Sequence, residues 1–447
     1  MRFVAIALFL LAIPVLQNWM QGQVQRQRWV WRAIGFLPFA IGWLHLDASL
    51  ISWAMWPGYV RGLMLSLLDA LAVATLLTLR KDRLSRPYLY LLGLYAAVAS
   101  LSIAFADVKM AAFFFVWQLL RMVVVFLAVR RIAVQPGGLG NLIEGILAGA
   151  VVQAGYSINE RLHGVGQATG TMGHQNLLGM MLHFAIYPGL ALLLAGRRDK
   201  LLMAGVAASV VAIVLTGSRA SIGIAAIGIS LLIVLSMIRR PTSRKSTIVA
   251  LGVVAMLLAT PLAWSGLSKR LTADSIASSD GERQAFKRAA WMMVRDHPMG
   301  VGANQYVVVA NSGGYSERAG VNWNSTSRSA NVHNTYLLMT AELGYLGGLA
   351  TLLLMILPPL SALRAAWRVR HEPVGDVILG LGTALAAVAV HCNYEWIYVY
   401  ASTQYLHAIC LGMLSGLVAQ QQAARRRKKR KPVAAVPVRR LALSEAA

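Results

Sequence analysis

Long apolar stretches alternate with short basic ones along this chain, and few folds accommodate that alternation. Apolar runs occupy residues 3–17, 29–46, 58–79, 87–106, 111–128, 141–158, 176–194, 200–216, 219–238, 247–265, 334–360, 375–396 and 401–420. A helix needs roughly 20 residues to cross a bilayer, and most of these runs approach that length. Soluble domains carry about 25% charged residues, whereas here 13% of 447 residues are charged and 57% are hydrophobic. The expected fold is all-α: a polytopic membrane helical bundle with one large hydrophilic loop that contains short helices. The first run is short, and the second and third are broken by Pro38 and Pro57, so the expected number of transmembrane helices is about 12. The chain divides into a transmembrane bundle (1–265), the loop (266–333), further transmembrane helices (334–420) and a basic tail expected to be disordered (421–447).

The net charge is +25. In a membrane protein, an excess of this kind follows from the positive-inside rule, by which Lys and Arg hold short loops in the cytoplasm, so no nucleic-acid partner is expected. Arg80 to Arg83, Arg130-Arg131, Arg197 to Lys200, Arg239 to Lys245 and Arg364 to His371 all lie between apolar runs. With the tail placed inside, counting back along the runs puts each of these on the cytoplasmic side. The loop, the turn Thr216 to Arg219 and the segments Asn159 to Gln175 and Asn393 to Ser402 then fall outside. The cluster Arg425 to Lys431 reads as an anchor to anionic membrane lipid. Cys392 and Cys410 lie inside apolar runs, which points away from a disulfide framework or a thiolate metal site. Met1-Arg2 precedes an apolar stretch with no clear cleavage site, as in an uncleaved membrane segment.

The chemistry-bearing residues gather on the external side. Within the loop, Gly281 to Asp296 has helical propensity, with Phe286, Ala290 and Met293 near one-face spacing. His297-Pro298 ends that helix, because proline disfavours a helical residue before it. Asn311 to Ser329, rich in Gly, Ser and Asn, reads as mobile. Arg219 stands on the face that otherwise avoids arginine. It either snorkels to the interface or binds an anionic group, since a guanidinium contacts phosphate bidentately. Arg283 and Lys287 lie one turn apart with Arg288 beside them, either as a solvated face paired to Asp280 and Glu282 or as a basic surface for a phosphorylated lipid head. His333 sits at a polar-to-apolar boundary beside Asn331 and Asn334. It is either a helix-terminus histidine satisfied by backbone or a general base at neutral pH. Arg161 precedes a Gly/Thr-rich external segment ending at Asn176, which can cap the next helix or orient a substrate. His391, Asn393, Glu395 and Trp396 lie at the outer end of a later helix, either functional or at the interface beside Tyr398 and Tyr400. The chain contains no Walker motif, dinucleotide fingerprint or HExxH, and the external acidic residues form no DxD pair, so neither a nucleotide nor a metal is indicated.

Taken together, four patterns resemble the O-antigen ligase and polymerase superfamily of bacterial envelope glycosyltransferases. They are Gly-x5-Asn-x-x-Gly at Gly170 to Gly179; Ser218-Arg219 after an apolar helix; Gly281-Glu282-Arg283 followed by His297-Pro298-Met299-Gly300-Val301-Gly302; and His333-Asn334-Thr335-Tyr336-Leu337 followed by Glu342-Leu343-Gly344-Tyr345-Leu346-Gly347. The resemblance implies a GT-C-like glycosyltransferase in a Gram-negative inner membrane, multi-pass, with its site on a large periplasmic loop and its C-terminus in the cytoplasm. It implies transfer of a glycan from an undecaprenyl-diphosphate-linked O-antigen donor to a hydroxyl, without cofactor or metal. For the ligase, the acceptor is lipid A-core. By matching position, His333 carries the catalytic role and Arg219 and Arg283 bind the diphosphate, assisted by Arg288 and Arg161, with Asn176 and Asn334 as orienting candidates.

Sister enzymes of the same kind use a growing glycan or a protein hydroxyl as acceptor. The short chain, single major loop and plain basic tail favour the ligase. A lipid-linked glycan flippase or transporter is a reading of a different class. It would show paired halves with broken helices, which are not evident, but Arg121 and Glu144 fall inside apolar runs as such a protein would require. A non-catalytic scaffold would need neither the histidine nor the arginines.

Overall fold

The computed structural model describes residues 2–250, 252 and 273–430. The run 247–265 beyond residue 252, the first residues of the loop and the tail from Lys431 on lie outside that range. Helices α1 (Arg2–Met20), α2 (Val24–Phe36), α3 (Leu67–Thr78), α4 (Leu89–Leu101), α5 (Lys109–Ala133), α6 (Gly138–Leu162), α7 (Gln175–Ala195), α8 (Lys200–Leu215) and α9 (Arg219–Arg239) form the first part. The loop contributes α10 (Ala273–Asp296) and α11 (Tyr306–Ser312). Helices α12 (Thr335–Arg368), α13 (Val374–His391) and α14 (Ala401–Arg430) complete the described residues. Among those residues, seven helices are long and apolar enough to cross a membrane: α1, α5, α6, α7, α9, α12 and α13.

The all-α expectation needs correcting. The runs 29–46 and 58–79 do not each give a span-length helix. A 3-10 turn with Pro38 at its start follows α2, and an antiparallel hairpin, β1 (Asp47–Ser52) and β2 (Gly62–Ser66), intervenes before α3. Proline removes a backbone donor and breaks the helical ladder, and the polar Asp47, Ser66 and Asp69 punctuate the apolar sequence. Ser66 caps α3 in a reciprocal capping box with Asp69. The tail departs from expectation at its start: α14 continues to Arg430, because Ala, Gln, Lys and Arg are all strong helix formers.

The basic loops meet at one end of the bundle. Arg130 grips the Asp82 carboxylate through two 2.8 Å bonds. Arg239 donates to the carbonyls of Arg370 and Glu372. Arg425 reaches Arg368, and Ser85 reaches Gln422. The charges inside apolar runs are partnered as well. Arg121 pairs with Asp69 at 2.9 Å, and Glu144 is shared by Arg32 and Arg197. These ion pairs supply a structural reason for the two residues that had motivated a transport reading. α7 runs through the centre of the bundle with nearly every side chain buried.

The loop is clamped to the opposite end by the two glycine motifs. α12 is kinked at Gly344, whose φ of 71° and ψ of −175° are open essentially to glycine alone. A Cβ there would lie 2.6 Å from the Met299 carbonyl carbon. Into this kink fits the turn after α10: Gly302 N–H donates to Glu342 O at 2.9 Å, and Tyr345 N–H donates to Pro298 O at 3.2 Å. The fully buried Glu342 carboxylate accepts from the backbone N–H of Asn304 and Tyr306, each at 2.9 Å, and from the Tyr59 hydroxyl. Asn304 in turn holds the hairpin region, donating to Val60 O at 2.7 Å and accepting from Val60 N–H at 3.1 Å. The His-Pro-x-Gly-x-Gly and Glu-x-Gly-x-x-Gly patterns are therefore the two halves of one clasp.

Candidate functional site

α10 ends at Asp296, as the following His297-Pro298 leads one to expect. Its face containing Phe286, Ala290 and Met293 is buried, and the Phe286 ring lies 5.7 Å from that of His333. Asn311 to Ser329, read as mobile, instead folds into single helical turns at Tyr315–Arg318 and Ser325–Arg328. Tyr315 donates to Asp296, and Asn311 to the Arg328 carbonyl, each at 2.8 Å. Glu282 accepts from Ser327, so it does not neutralise Arg283.

Asn334 caps α12: its side chain accepts from Leu337 N–H at 2.9 Å. His333 is thereby fixed as the residue immediately before the cap. The segment after α13 is stitched alongside it. Thr335 N–H donates to Cys392 O at 2.8 Å, the Thr335 hydroxyl to Glu395 O at 2.7 Å, and the Asn334 amide to Asn393 O at 3.2 Å. These bonds place Glu395 against His333.

Glu395 is the hub of the site. Its side chain is 2% exposed and accepts three donors: His333 Nδ1 at 3.0 Å on Oε2, and Asn176 Nδ2 at 2.6 Å and an Arg283 guanidinium nitrogen at 3.1 Å on Oε1. Burial alone would raise this carboxyl. The hydrogen bond from His333 and the neighbouring Arg283 charge outweigh burial and hold it below its ordinary value. An ionised carboxylate only accepts hydrogen bonds, so Nδ1 of His333 donates to Glu395 and Nε2 is the ring nitrogen that Glu395 does not engage.

Asn176 does not cap α7 as the sequence suggested. The cap is His174, whose Nδ1 accepts from Asn176 N–H at 3.2 Å. That leaves the Asn176 amide for Glu395. Burial lowers the His174 pKa, and nearby His333 adds to the lowering. Ser218 caps α9 and puts Arg219, exposed, in its first turn. α7 and α9 approach closely at Gly179, where a Cβ would come within 2.1 Å of Ser221 Oγ. The first turns bearing Asn176 and Arg219 are thus neighbours.

Two expected site residues point elsewhere. Arg161 donates to the carbonyls of Val165 and Gly166 in its own loop, which is tied to the turn before Arg219 by Ala168 N–H to Leu215 O at 3.1 Å. Arg288 donates to Ala319 O at 2.8 Å. Five residues along an α-helix rotate by about 140°, which accounts for Arg283 and Arg288 facing different surroundings.

Residues 204–352 match the family model described as O-antigen ligase. Over that segment the chain is similar to the O-antigen ligase family. No curated protein matches the chain. The matched family implies a membrane glycosyltransferase-like ligase or polymerase activity. The matched segment contains Arg219, Arg283, Arg288 and His333 but ends before Glu395, and it begins after Asn176. Sequence alone leaves Glu395 between a functional and an interfacial role, because its partners lie 62, 112 and 219 residues away along the chain. Among the described residues, no three His, Cys, Asp or Glu side chains are grouped to hold a metal ion.

Proposed function

We propose that this protein is an O-antigen ligase of the inner membrane, with its site facing the periplasm. It transfers a glycan from undecaprenyl diphosphate to a hydroxyl of lipid A-core. The observation that carries this reading is a histidine held by a buried carboxylate that also binds Arg283, at the junction of loop and bundle. His333 Nε2 takes the proton of the acceptor hydroxyl, and the oxygen attacks the anomeric carbon from the side opposite the diphosphate. The glycosyl C–O bond to phosphate breaks, its electron pair leaves with undecaprenyl diphosphate, and the anomeric centre inverts.

Glu395 fixes the tautomer and stabilises the imidazolium that forms, as a carboxylate behind a catalytic histidine does. Arg283 spends one nitrogen on Glu395 and keeps other N–H donors for the diphosphate. Together with Arg219 it absorbs the charge that develops on the leaving group. A diphosphate is already a good leaving group, so the chemistry required of the protein is chiefly activation of the nucleophile. Arg161 serves by bracing the loop against the turn that presents Arg219.

The test of the reaction is reconstitution of purified protein with the lipid-linked glycan and lipid A-core, without ATP and with chelator present, read as a ladder on a gel. Modified lipid A-core is the expected product. Elongation of the lipid-linked glycan, or glycan on an acceptor protein, would reassign the enzyme to one of its sister transferases.

A further inference from the structure

α10 presents a second polar face that the reaction above does not use. Arg288, Trp291, Met292 and Arg295 follow one another at i, i+3, i+4 and i+7, a single stripe along the helix. Across from this stripe stand Arg318 and Ala319, and Tyr345 forms the floor; the cavity they enclose is about 560 Å³. Three arginines line it and no acidic residue does. Arg288 and Arg318 each donate through a single nitrogen, to Ala319 O and Gly313 O. Each guanidinium has five N–H donors, so most of the donor capacity around the cavity is left for a ligand rich in acceptor oxygens.

An apolar slot adjoins the cavity at Tyr345. Tyr345 also lines a second hollow of about 170 Å³, walled by Leu101, Phe105, Met299, Leu343 and Leu346, where α4 meets the kink of α12. Below the kink, α12 exposes Leu346, Leu349 and Leu352, and α4 exposes Leu94 and Leu101. These are the faces such helices turn to acyl chains. Trp291 and Tyr345, each more than half exposed, are of the aromatic types that gather at a membrane–water boundary. The two hollows together suit an amphiphile with a phosphorylated head and hydrocarbon chains.

We propose that this cleft binds the phosphorylated head of the glycan-accepting lipid, with its acyl chains lying against α4 and α12. The inference rests on the ligase reading. Such a reaction brings two phosphorylated lipids to one enzyme, and their phosphates must be held apart. α10 does this by turning Arg283 towards His333 and Glu395, and Arg288 and Arg295 towards the cleft on another face.

The test uses the full-length protein and an Arg295→Gln/Arg318→Gln double variant, neither residue being part of the His333 site. Binding of bis-phosphorylated lipid A, of its dephosphorylated form and of undecaprenyl diphosphate is measured for both proteins. Wild type is expected to hold the phosphorylated lipid A about tenfold more tightly than the dephosphorylated form. The double variant is expected to lose that preference while binding undecaprenyl diphosphate as before, which also shows that it is folded. A variant that keeps the preference, or a wild type that has none, overturns the proposal. In the ligation assay the variant should raise the acceptor KM and leave the donor KM unchanged. Failure of the wild type to ligate would count against the ligase reading alone, because the lipid preference is read without turnover.

Discussion

His333 Nδ1 lies 3.0 Å from Glu395 Oε2, although the two residues are separated by a complete transmembrane hairpin of α12 and α13. The carboxylate is nearly sealed from solvent, whereas the imidazole is 24% exposed. The basic nitrogen is thus oriented from behind by a group that solvent barely reaches. Glu395→Gln should lower kcat by about 10²-fold, within the 10²–10⁴-fold that a positioned general base contributes, with little change in donor KM. Steady-state kinetics with donor and acceptor varied separately would check this.

The same carboxylate gives a pH signature. Its folded-state pKa is held below the ordinary value, so the stabilisation it contributes is complete above the ordinary carboxyl range and is lost as pH falls through the folded value. Melting temperatures of wild type and Glu395→Gln should therefore differ by a constant amount from neutral pH down to the carboxyl range, and converge below it. A gap that instead grew on acidification would mean that Glu395 is protonated in the folded protein.

Arg283 and Asn176 share Glu395 Oε1 but should separate kinetically. Arg283→Lys keeps the charge and loses the fork that matches a phosphate, so donor KM should rise about tenfold or more. Asn176→Ala removes only a support for Glu395 and should act on kcat. Binding of undecaprenyl diphosphate to both variants distinguishes the two effects.

The clasp makes a prediction about stability. Gly344→Ala forces a side chain into a backbone conformation that costs roughly 1–3 kcal/mol in strain, before any clash with Met299. Asn304→Ala removes buried hydrogen bonds to Val60 and Ala111, worth about 1 kcal/mol each. Both should lower the melting temperature and detach the loop from the bundle. Protease accessibility of the 298–304 segment would report that detachment directly.

Much of this arrangement was legible in the sequence because its signals are local. The charge pattern placed the basic loops at one end, and Arg130–Asp82 and Arg239–Arg370 contacts join those loops. Pro298 marked the end of α10, and the change from polar to apolar residues marked the start of α12 just after His333. What was not legible depends on distant pairing. Glu395 is an isolated acid until α13 returns it to His333. The hairpin at Asp47–Ser66 was hidden because its residues are as apolar as those of the helices around it. Asn176 looked like a cap because capping is the commonest use of asparagine at a helix start, but His174 had already taken that role. Arg283 and Arg288, five residues apart, were read as one patch, and helical rotation separates them.

The central claim is that His333, oriented by Glu395, activates the acceptor hydroxyl. The most direct measurement is the initial rate of glycan transfer by reconstituted wild type and His333→Ala at saturating donor and acceptor, with donor binding measured in parallel. The account predicts a fall of about 10²–10⁴-fold with donor binding retained. A His333→Ala protein that transfers glycan at the wild-type rate would contradict it.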